Sequence, residues 1–186
     1  MSNDDPKLTA FSAPEGRGNA LGQPGGAAER WRPNVTVAAV VERDGRYLLV
    51  EERAADGSLK LNNPAGHLDR GETLLQAVVR EVLEETACVF TPTHLQGIHL
   101  APSATDDVTY LRFAFAGSVS EPLPGRALDD GIVRTLWLTP GEIAAERGRH
   151  RSALLMRCID DHLAGRRYPL ELLTCDPTIY EPEIKV

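Results

Sequence analysis

The stretch that decides the fold is GHLDRGETLLQAVVREVLEE, residues 66–85. Within it, Thr73 and Gln76 have the spacing of a capping box, which predicts a helix from about Leu74 to Thr86. Apolar residues recur along this segment at helical spacing, so one side of the helix is expected to face a core. The sequence therefore predicts a charged, glycine-containing loop that leads directly into an amphipathic helix.

Three glutamates, Glu81, Glu84 and Glu85, fall within an arc of about 100° on another side of this predicted helix. Glu81 and Glu85 form a like-charge pair at i,i+4 that costs about a few tenths of a kcal/mol, and Arg80 with Glu84 recovers a similar amount. Because the arrangement brings no net stability, two interpretations stay open: a solvated acidic face, or carboxylates that hold a cation. Mg²⁺ prefers oxygen ligands and often shares them with substrate phosphates.

Upstream of this stretch, the sequence predicts two antiparallel strands. Val35, Val37, Ala39 and Val41 recur at alternate positions of the first strand, and a second apolar run covers 47–50. Between them, Asp-Gly at 44–45 is typical of a tight hairpin turn. Residues 54–60 form a polar loop in this interpretation, and no strand is predicted between that loop and the helix.

Downstream, the pattern predicts strands at about 95–101, 108–119 and 134–138. In the second of these, Leu111, Phe113 and Phe115 share one face, while Tyr110 and Arg112 share the other. A second capping box, Thr139 with Glu142, precedes another helix. A last helix starts near Ser152, ends at Gly165 and is expected to bury the following residues: Leu154, Leu155, Cys158, Ile159, His162 and Leu163. The order β-β-α-β-β-β-α-α predicts an α/β (α+β) fold with a mixed sheet packed by helices.

Composition narrows the classes of function. The chain has 186 residues, a net charge of −7 and 42% hydrophobic residues, which excludes wholesale disorder. The acidic balance argues against nucleic acid or an anionic membrane as a partner, so an anionic substrate would need bound cations or local arginines. Three cysteines without CxxC spacing, no apolar run long enough to span a bilayer and no secretory signal together favour the cytoplasm.

The first 33 residues differ in character from the rest of the chain. They contain nine Gly or Pro residues and two branched aliphatic ones, which is too little apolar surface to offset the entropy of ordering. We expect a flexible N-terminal extension at 1–33, with a segment that orders on a partner or a second subunit as the alternative. The sequence leaves both a monomer and a homodimer open.

The stretch at 66–85 resembles the signature of the Nudix hydrolase family, G-x5-E-x7-R-E-U-x-E-E-x-G-U, where U is aliphatic. The matching residues are Gly66, Glu72, Arg80, Glu81, Val82, Glu84 and Glu85. The end of the signature departs, because Ala87 stands where glycine is expected and Cys88 where an aliphatic residue is expected. Ala in a left-handed cap costs about 1 kcal/mol, so the helix either bears that cost or continues further.

The resemblance covers about residues 34–173 and implies a Nudix domain there, a mixed sheet sandwiched between helices, with 174–186 as a C-terminal tail. PAGHL at 64–68, LRF at 111–113 and GRRYPLE at 165–171 are similar to one subgroup of phosphatases in this family. That subgroup acts on nucleoside di- and triphosphates and on the pyrophosphorylated pyrimidine precursor of thiamine, 4-amino-2-methyl-5-hydroxymethylpyrimidine pyrophosphate. The segment at 167–169 either covers a substrate or locks the last helix against the sheet.

The resemblance also implies metal and catalytic roles. Glu84 and Glu85 would bind Mg²⁺, with Mn²⁺ as a substitute, and Glu81 would complete the cluster. A backbone carbonyl near Ala65 or Gly66 would be a further ligand. Glu81 is the expected general base and Glu85 the alternative, because members of the family differ in the acid that accepts the proton.

Other residues are candidates for positioning or substrate binding. Arg80 is expected to orient the glutamates, and Glu72 either holds the loop or carries a charge favoured by the helix dipole. Arg112 could grip a phosphate or be solvated or ion-paired. Tyr110 could stack on a heterocycle or pack in the core, and His67 could contact a phosphate or be structural.

A loop further along the chain contains two more candidate acids. Asp129 and Asp130 lie in a loop from which family members sometimes supply another acid, although Gly131 stands where a glutamate would be expected.

The function expected first is that of a hydrolase of small-molecule diphosphates that releases phosphate. The alternatives are an ADP-ribose or dinucleotide pyrophosphatase and, from another class, a catalytically silent nucleotide-binding regulator, against which the intact acids argue.

Overall fold

The structure, a computed structural model, describes residues 31–103 and 107–180. Within these residues, the strands are β1 (Asn34–Arg43), β2 (Arg46–Arg53), β3 (Leu59–Asn62), β4 (Ala65–His67), β5 (Phe90–Pro102), β6 (Thr109–Val119) and β7 (Ile132–Leu138). The α-helices are α1 (Leu74–Thr86), α2 (Pro140–Ala145) and α3 (Leu154–Leu163). No helix of the described residues is long and apolar enough to span a membrane.

Strand β1 organises the sheet. It runs parallel to β6 along most of its length and pairs antiparallel with β4 through Thr36, Val37 and Ala38. Its pairing with β2 is confined to the end next to the hairpin turn. Strand β2 then pairs with β3 and β7, while β5 pairs with β6 at the other edge. The sheet is therefore mixed, and its two halves meet along β1.

Helices cover both faces of this sheet. Helix α1 packs on the face that carries Val37, Ala39 and Phe115, while Ile143 of α2 and Leu155 of α3 belong to the cluster on the opposite face. Alternate residues of β1 and β6 thus serve two separate apolar clusters. The predicted α+β architecture, a mixed sheet between helices, is confirmed.

The structure adds two strands that the sequence analysis did not predict. Strands β3 and β4 have only four and three residues, and the stretch Asn62-Asn63-Pro64 at the end of β3 and before β4 has no alternation of apolar and polar residues. Leu61 of β3 is fully buried in the cluster below α2 and α3. Pairing with neighbouring strands therefore creates these elements, and local propensity does not.

The last helix corrects one expectation about the core. Leu154, Leu155, Cys158 and Ile159 are buried as predicted, but Leu163 is 61% exposed. The helix instead buries Asp161, whose carboxylate pairs with Arg157 and Arg166. Hydrophobic periodicity does not predict a charged residue on the buried face of a helix. Asp161 can be buried because its two arginine partners compensate the charge of its carboxylate.

The end of α1 settles how the chain accommodates Ala87. The helix ends at Thr86, and Ala87 adopts the left-handed conformation with φ 58°. Its backbone N–H donates to the carbonyl of Leu83 at 3.1 Å. The chain therefore keeps the helix end of the signature with alanine in the place of glycine.

Some expectations fall outside the described residues. The extension predicted at 1–33 lies outside them up to residue 30, and strand β1 begins at Asn34. The last six residues of the predicted tail, 181–186, also lie outside. Both domain boundaries stay predictions.

Candidate active site

The acidic side of α1 faces strand β4. Glu81 and Glu85 are buried, and the backbone N–H of Ala65 donates to Oε2 of Glu85 at 2.8 Å. A Cβ atom placed on Gly66 would lie 2.1 Å from Cδ of Glu81. The missing side chain at Gly66 therefore lets the Glu81 carboxylate lie against the backbone of β4.

Arg80 binds three of the acids of the signature at once. Its guanidinium donates from Nε and NH2 to the two carboxylate oxygens of Glu72, at 3.0 and 2.7 Å. The NH1 group donates to Glu81 at 2.8 Å and to Glu84 at 3.0 Å, and NH2 also donates to the carbonyl of His67 at 2.9 Å. Glu72 in turn accepts from the backbone N–H of Asp69, so the loop and the helix are tied together.

Burial and repulsion act on the acids that Arg80 does not fully neutralise. Burial raises the pKa of Glu85 to about 8, and Glu81, Glu52 and Asp129 add repulsion. Burial also raises the pKa of Glu81, although Arg80 opposes this effect. Asp129, from the loop before β7, donates its backbone N–H to the carbonyl of Glu84 at 2.9 Å. The loop acid is thus brought to the α1 cluster.

These residues fit a hard divalent cation in their chemistry. The donors are carboxylate oxygens that repel one another, and a cation among them would oppose the burial and the repulsion that together raise the pKa of Glu85. Among residues 31–103 and 107–180, no three acidic, histidine or cysteine side chains already converge as ligands. Arg80 holds Glu81 and Glu84 through one nitrogen, so an ion would compete with Arg80 for these oxygens.

A row of polar residues crosses the sheet on the face opposite α1. His67 of β4 pairs with Thr36 of β1, Thr36 pairs with Arg112 of β6, and Arg112 pairs with His99 of β5. Arg112 is only 8% exposed, yet its Nε and NH1 groups have no hydrogen-bond partner among the described residues. Thr36 Oγ1 and His99 Nε2 are likewise buried and unpartnered within that part of the chain.

Arg112 is electrostatically linked to the α1 acids. Burial lowers the pKa of Arg112, and the negative charges of Glu52 and Glu85 are among the influences that oppose this shift. A buried guanidinium with unused donors is costly to the fold. Donors of this kind are suited to phosphate oxygens.

Tyr110 and His67, the other two candidates for substrate binding, lie next to each other. Their ring centroids are 6.2 Å apart, and Tyr110 shares a strand face with Arg112. His67 contacts the α1 side through its carbonyl, which accepts from Arg80. The sequence candidates Arg112, Tyr110 and His67 are therefore neighbours, although they come from two strands.

The sequence analysis missed several polar residues here. Burial raises the pKa of Glu52 at the end of β2, and this glutamate acts on both Glu85 and Arg112. Thr36 and the buried pair Asn62 and Asn63 carry unpartnered polar atoms within the described residues. A polar residue inside the apolar run of β1 is a signal that could have identified Thr36.

The neighbouring acid Glu51 shows why Glu52 was hard to identify. Glu51 is buried on the other face of β2, where Arg134 and Arg149 donate to its carboxylate. Two adjacent glutamates thus have different environments. Glu51 pairs with two arginines, while Glu52 pairs with Arg151 at 3.5 Å and also acts electrostatically on Glu85. Only the face of the strand distinguishes them.

Comparison with known proteins identifies the family to which the chain belongs. A sequence model of the NUDIX domain matches residues 30–157. The chain is 38% identical over 145 residues to phosphatase NudJ of Escherichia coli K12, covering 77% of this chain and 92% of NudJ. It is also similar to a solved NUDIX hydrolase from Nitrosomonas europaea, at 52% identity and a TM-score of 0.76, covering 78% of this chain and 98% of that one.

A more distant structure shares the fold alone. The NUDIX domain of Shewanella oneidensis NrtR, solved in complex with ADP ribose, is 17% identical, with a TM-score of 0.57 over 73% of this chain and 90% of that one.

The raised pKa of Glu85 predicts how stability depends on pH. Because the folded-state pKa is about 8 and the ordinary value is 4.5, the folded state binds a proton that the unfolded state releases between those values. Without divalent ions, wild-type stability should therefore fall as pH rises through this window. Glu85→Gln, which keeps an acceptor for Ala65, should make that fall smaller and exceed wild-type stability near the upper end, while the raised pKa values of Glu81 and Glu52 leave part of the fall in place.

Urea denaturation in EDTA, repeated from about pH 5 to about pH 9, measures the effect. Asp160→Asn, at an exposed acid of α3, is the control and should follow the wild-type curve. Parallel pH profiles for wild type and Glu85→Gln would contradict the electrostatic account of Glu85.

Proposed function

The chain belongs to the Nudix family of phosphohydrolases, and on that premise we propose that it is a Mg²⁺-dependent phosphatase of small-molecule diphosphates. Its substrates in this proposal are nucleoside di- and triphosphates or 4-amino-2-methyl-5-hydroxymethylpyrimidine pyrophosphate. The name of the NudJ relative, a phosphatase aligned over 92% of its length, supports orthophosphate as the product.

One observation carries the proposal: a buried glutamate of α1, Glu85, acts electrostatically on the buried Arg112, whose Nε and Nη1 have no hydrogen-bond partner among the described residues. Glu81 of the same helix is buried as well. A site with acids for a divalent ion and a fixed cation for phosphate suits an anhydride that carries several negative charges.

We assign the metal site to the α1 glutamates. Glu84 and Glu85, with Glu81, would hold Mg²⁺ or Mn²⁺, and a carbonyl at Ala65 or Gly66 would assist them. When bound, the ion supplies charge neutralisation of the phosphates and a lower pKa for a water molecule. Glu81 and Glu84 share the Nη1 group of Arg80, and their oxygens would become available as ligands when that contact is released.

Glu81 is the preferred proton acceptor, with Glu85 as the alternative. Glu85 has a pKa of about 8, so near neutral pH it carries its own proton until a cation offsets the repulsion. The carboxylate of Glu81 is held by Arg80 at 2.8 Å, which favours its charged form. Arg80 is a positioning residue in this assignment, because its contacts are with carboxylates and with the carbonyl of His67.

Arg112 is proposed to bind a phosphate of the substrate, and Tyr110 with His67 to bind its organic part. The unpartnered Nε and NH1 groups of Arg112 supply two donors. The paired rings of Tyr110 and His67 offer a surface for a flat heterocycle. Thr36, between His67 and Arg112 in the row, would add a hydroxyl.

A screen for released phosphate tests the reaction. With Mg²⁺ present, the protein is expected to release orthophosphate from nucleoside diphosphates and from the pyrimidine pyrophosphate. The same assay includes nucleotide sugars, dinucleotides and ADP-ribose. Production of AMP from ADP-ribose without orthophosphate release from nucleoside diphosphates would instead establish the pyrophosphatase alternative.

Removal of single carboxylate charges tests the metal assignment. Glu84→Gln and Glu85→Gln should each lower kcat by more than about 10²-fold, the scale of one general acid–base contribution. Their melting temperatures should change little, because glutamine keeps an oxygen acceptor for Arg80 at position 84 and for the Ala65 N–H at position 85. Steady-state kinetics at saturating Mg²⁺ measures the loss, and Asp160→Asn should retain wild-type turnover. Full activity in both glutamine variants would refute the site.

Arg112→Met separates a binding role from a structural one. Methionine fills a similar volume without the buried charge, so the melting temperature should be unchanged or higher. The KM should rise by about tenfold or more, the scale of a charge-assisted hydrogen bond, and to different extents for different substrates. A large fall in melting temperature with equal loss for every substrate would show that Arg112 supports the fold only.

A further inference from the structure

A cavity lies at the β5 edge of the sheet, next to α3. It has a volume of about 300 Å³ and lies among β5, α3 and the segment that follows α3. Its polar lining includes Gln96, His99, Arg157, Asp161, Arg166 and Tyr168.

The wall after α3 is fixed to the sheet by backbone pairing. The N–H of Leu95 donates to the carbonyl of Tyr168 at 2.9 Å, and the N–H of Tyr168 donates back at 2.8 Å. The segment at 167–169 is thus held against β5 through Tyr168, as expected of the second of its two predicted roles, the one that locks the last helix against the sheet. Leu95 and Tyr168 both line the cavity, so this pairing fixes one of its walls.

Two polar side chains of β5, Gln96 and His99, line the cavity and have buried atoms without a hydrogen-bond partner among the described residues. Gln96 is fully buried, and its Nε2 donates to the carbonyl of Cys158 at 2.6 Å. That bond fixes the amide, so Oε1 is left as an acceptor without a partner among the described residues. The Nε2 atom of His99 is also buried and has no hydrogen-bond partner within them, and it lies 3.8 Å from Oδ2 of Asp161. Buried polar atoms of this kind are expected to have a partner.

The cavity also carries a net positive charge. Arg157 and Arg166 both pair with Asp161, at 3.2 and 3.3 Å. One carboxylate opposes two guanidinium groups, so one positive charge is uncompensated. Arg157 uses only its Nε in this contact, and both arginine side chains are about half exposed. Their remaining N–H groups can therefore receive an anion.

We propose that this cavity binds a phosphorylated small molecule at a site separate from the α1 acids. The phosphate would be held by Arg157 and Arg166 in the forked geometry that guanidinium groups offer. An N–H or O–H group of the same ligand would donate to Oε1 of Gln96. A nucleoside monophosphate has both kinds of group and is of a size that suits the cavity.

Isothermal titration calorimetry of the full chain with adenosine 5′-monophosphate, and separately with inorganic phosphate, tests the proposal. EDTA in the buffer keeps the α1 acids without a cation. Repetition in Arg112→Met separates the cavity from the proposed phosphate site of Arg112, which pairs with His99 of the cavity lining, and binding should persist in that variant. Binding is expected at one site per chain. Tighter binding of the nucleotide than of phosphate, lost in Gln96→Leu, would show that the organic part is recognised as well. Equal binding of both would limit the site to phosphate.

Charge variants with opposite expected effects distinguish binding from folding. Arg166→Gln should weaken binding about tenfold, the effect of one charge-assisted hydrogen bond. Asp161→Asn, which releases both arginines from their carboxylate, should strengthen it several-fold. Arg167→Gln is the matched control, because Arg167 is adjacent in sequence and does not line the cavity, and its binding should equal that of the wild type.

Arg157→Gln repeats the test if Arg166→Gln does not fold, since each variant leaves one arginine on Asp161. Absence of binding of both probes would overturn the proposal, as would binding that neither arginine variant weakens. Because the readout is binding without turnover, failure here is distinct from failure of the proposed phosphatase activity.

Discussion

The concentration of negative charge on α1 depends on one guanidinium. Arg80 binds both oxygens of Glu72 and one oxygen each of Glu81 and Glu84, so a single cation ties the loop to the helix. Charge-assisted hydrogen bonds of this kind are strong where water is partly excluded. This contact sets the orientation of the acids and joins the glycine loop to the helix that it precedes.

Glu85 shows the opposite balance. It is buried against β4 with one backbone donor, and its pKa of about 8 reflects a carboxylate placed where the fold disfavours charge. The apolar side of the same helix, with Ala77, Val78 and Val82 in the core, offsets this destabilisation. Sites that hold reactive groups commonly lower stability in this way.

Strand β1 separates two chemistries. One of its faces is apolar beneath α1, while the other carries Thr36 in line with His67 and Arg112. The polar face retains donors and acceptors that the described residues do not satisfy. An arrangement of this kind is stable only because the two apolar clusters around it are large, and it leaves polar atoms available for a ligand.

The sequence alone determined the local elements and the acids. Capping residues at Thr73 and Thr139 begin helices as predicted, and the spacing of Glu81, Glu84 and Glu85 placed them together on α1, because caps and helical periodicity act within a few residues. Only the tertiary structure decided that β3 and β4 form, that Glu52 joins the acids while Glu51 does not, and that Arg112 lies buried beside Thr36. These outcomes depend on strand register and on the face that each strand presents, and both are set by pairing between residues far apart in the chain.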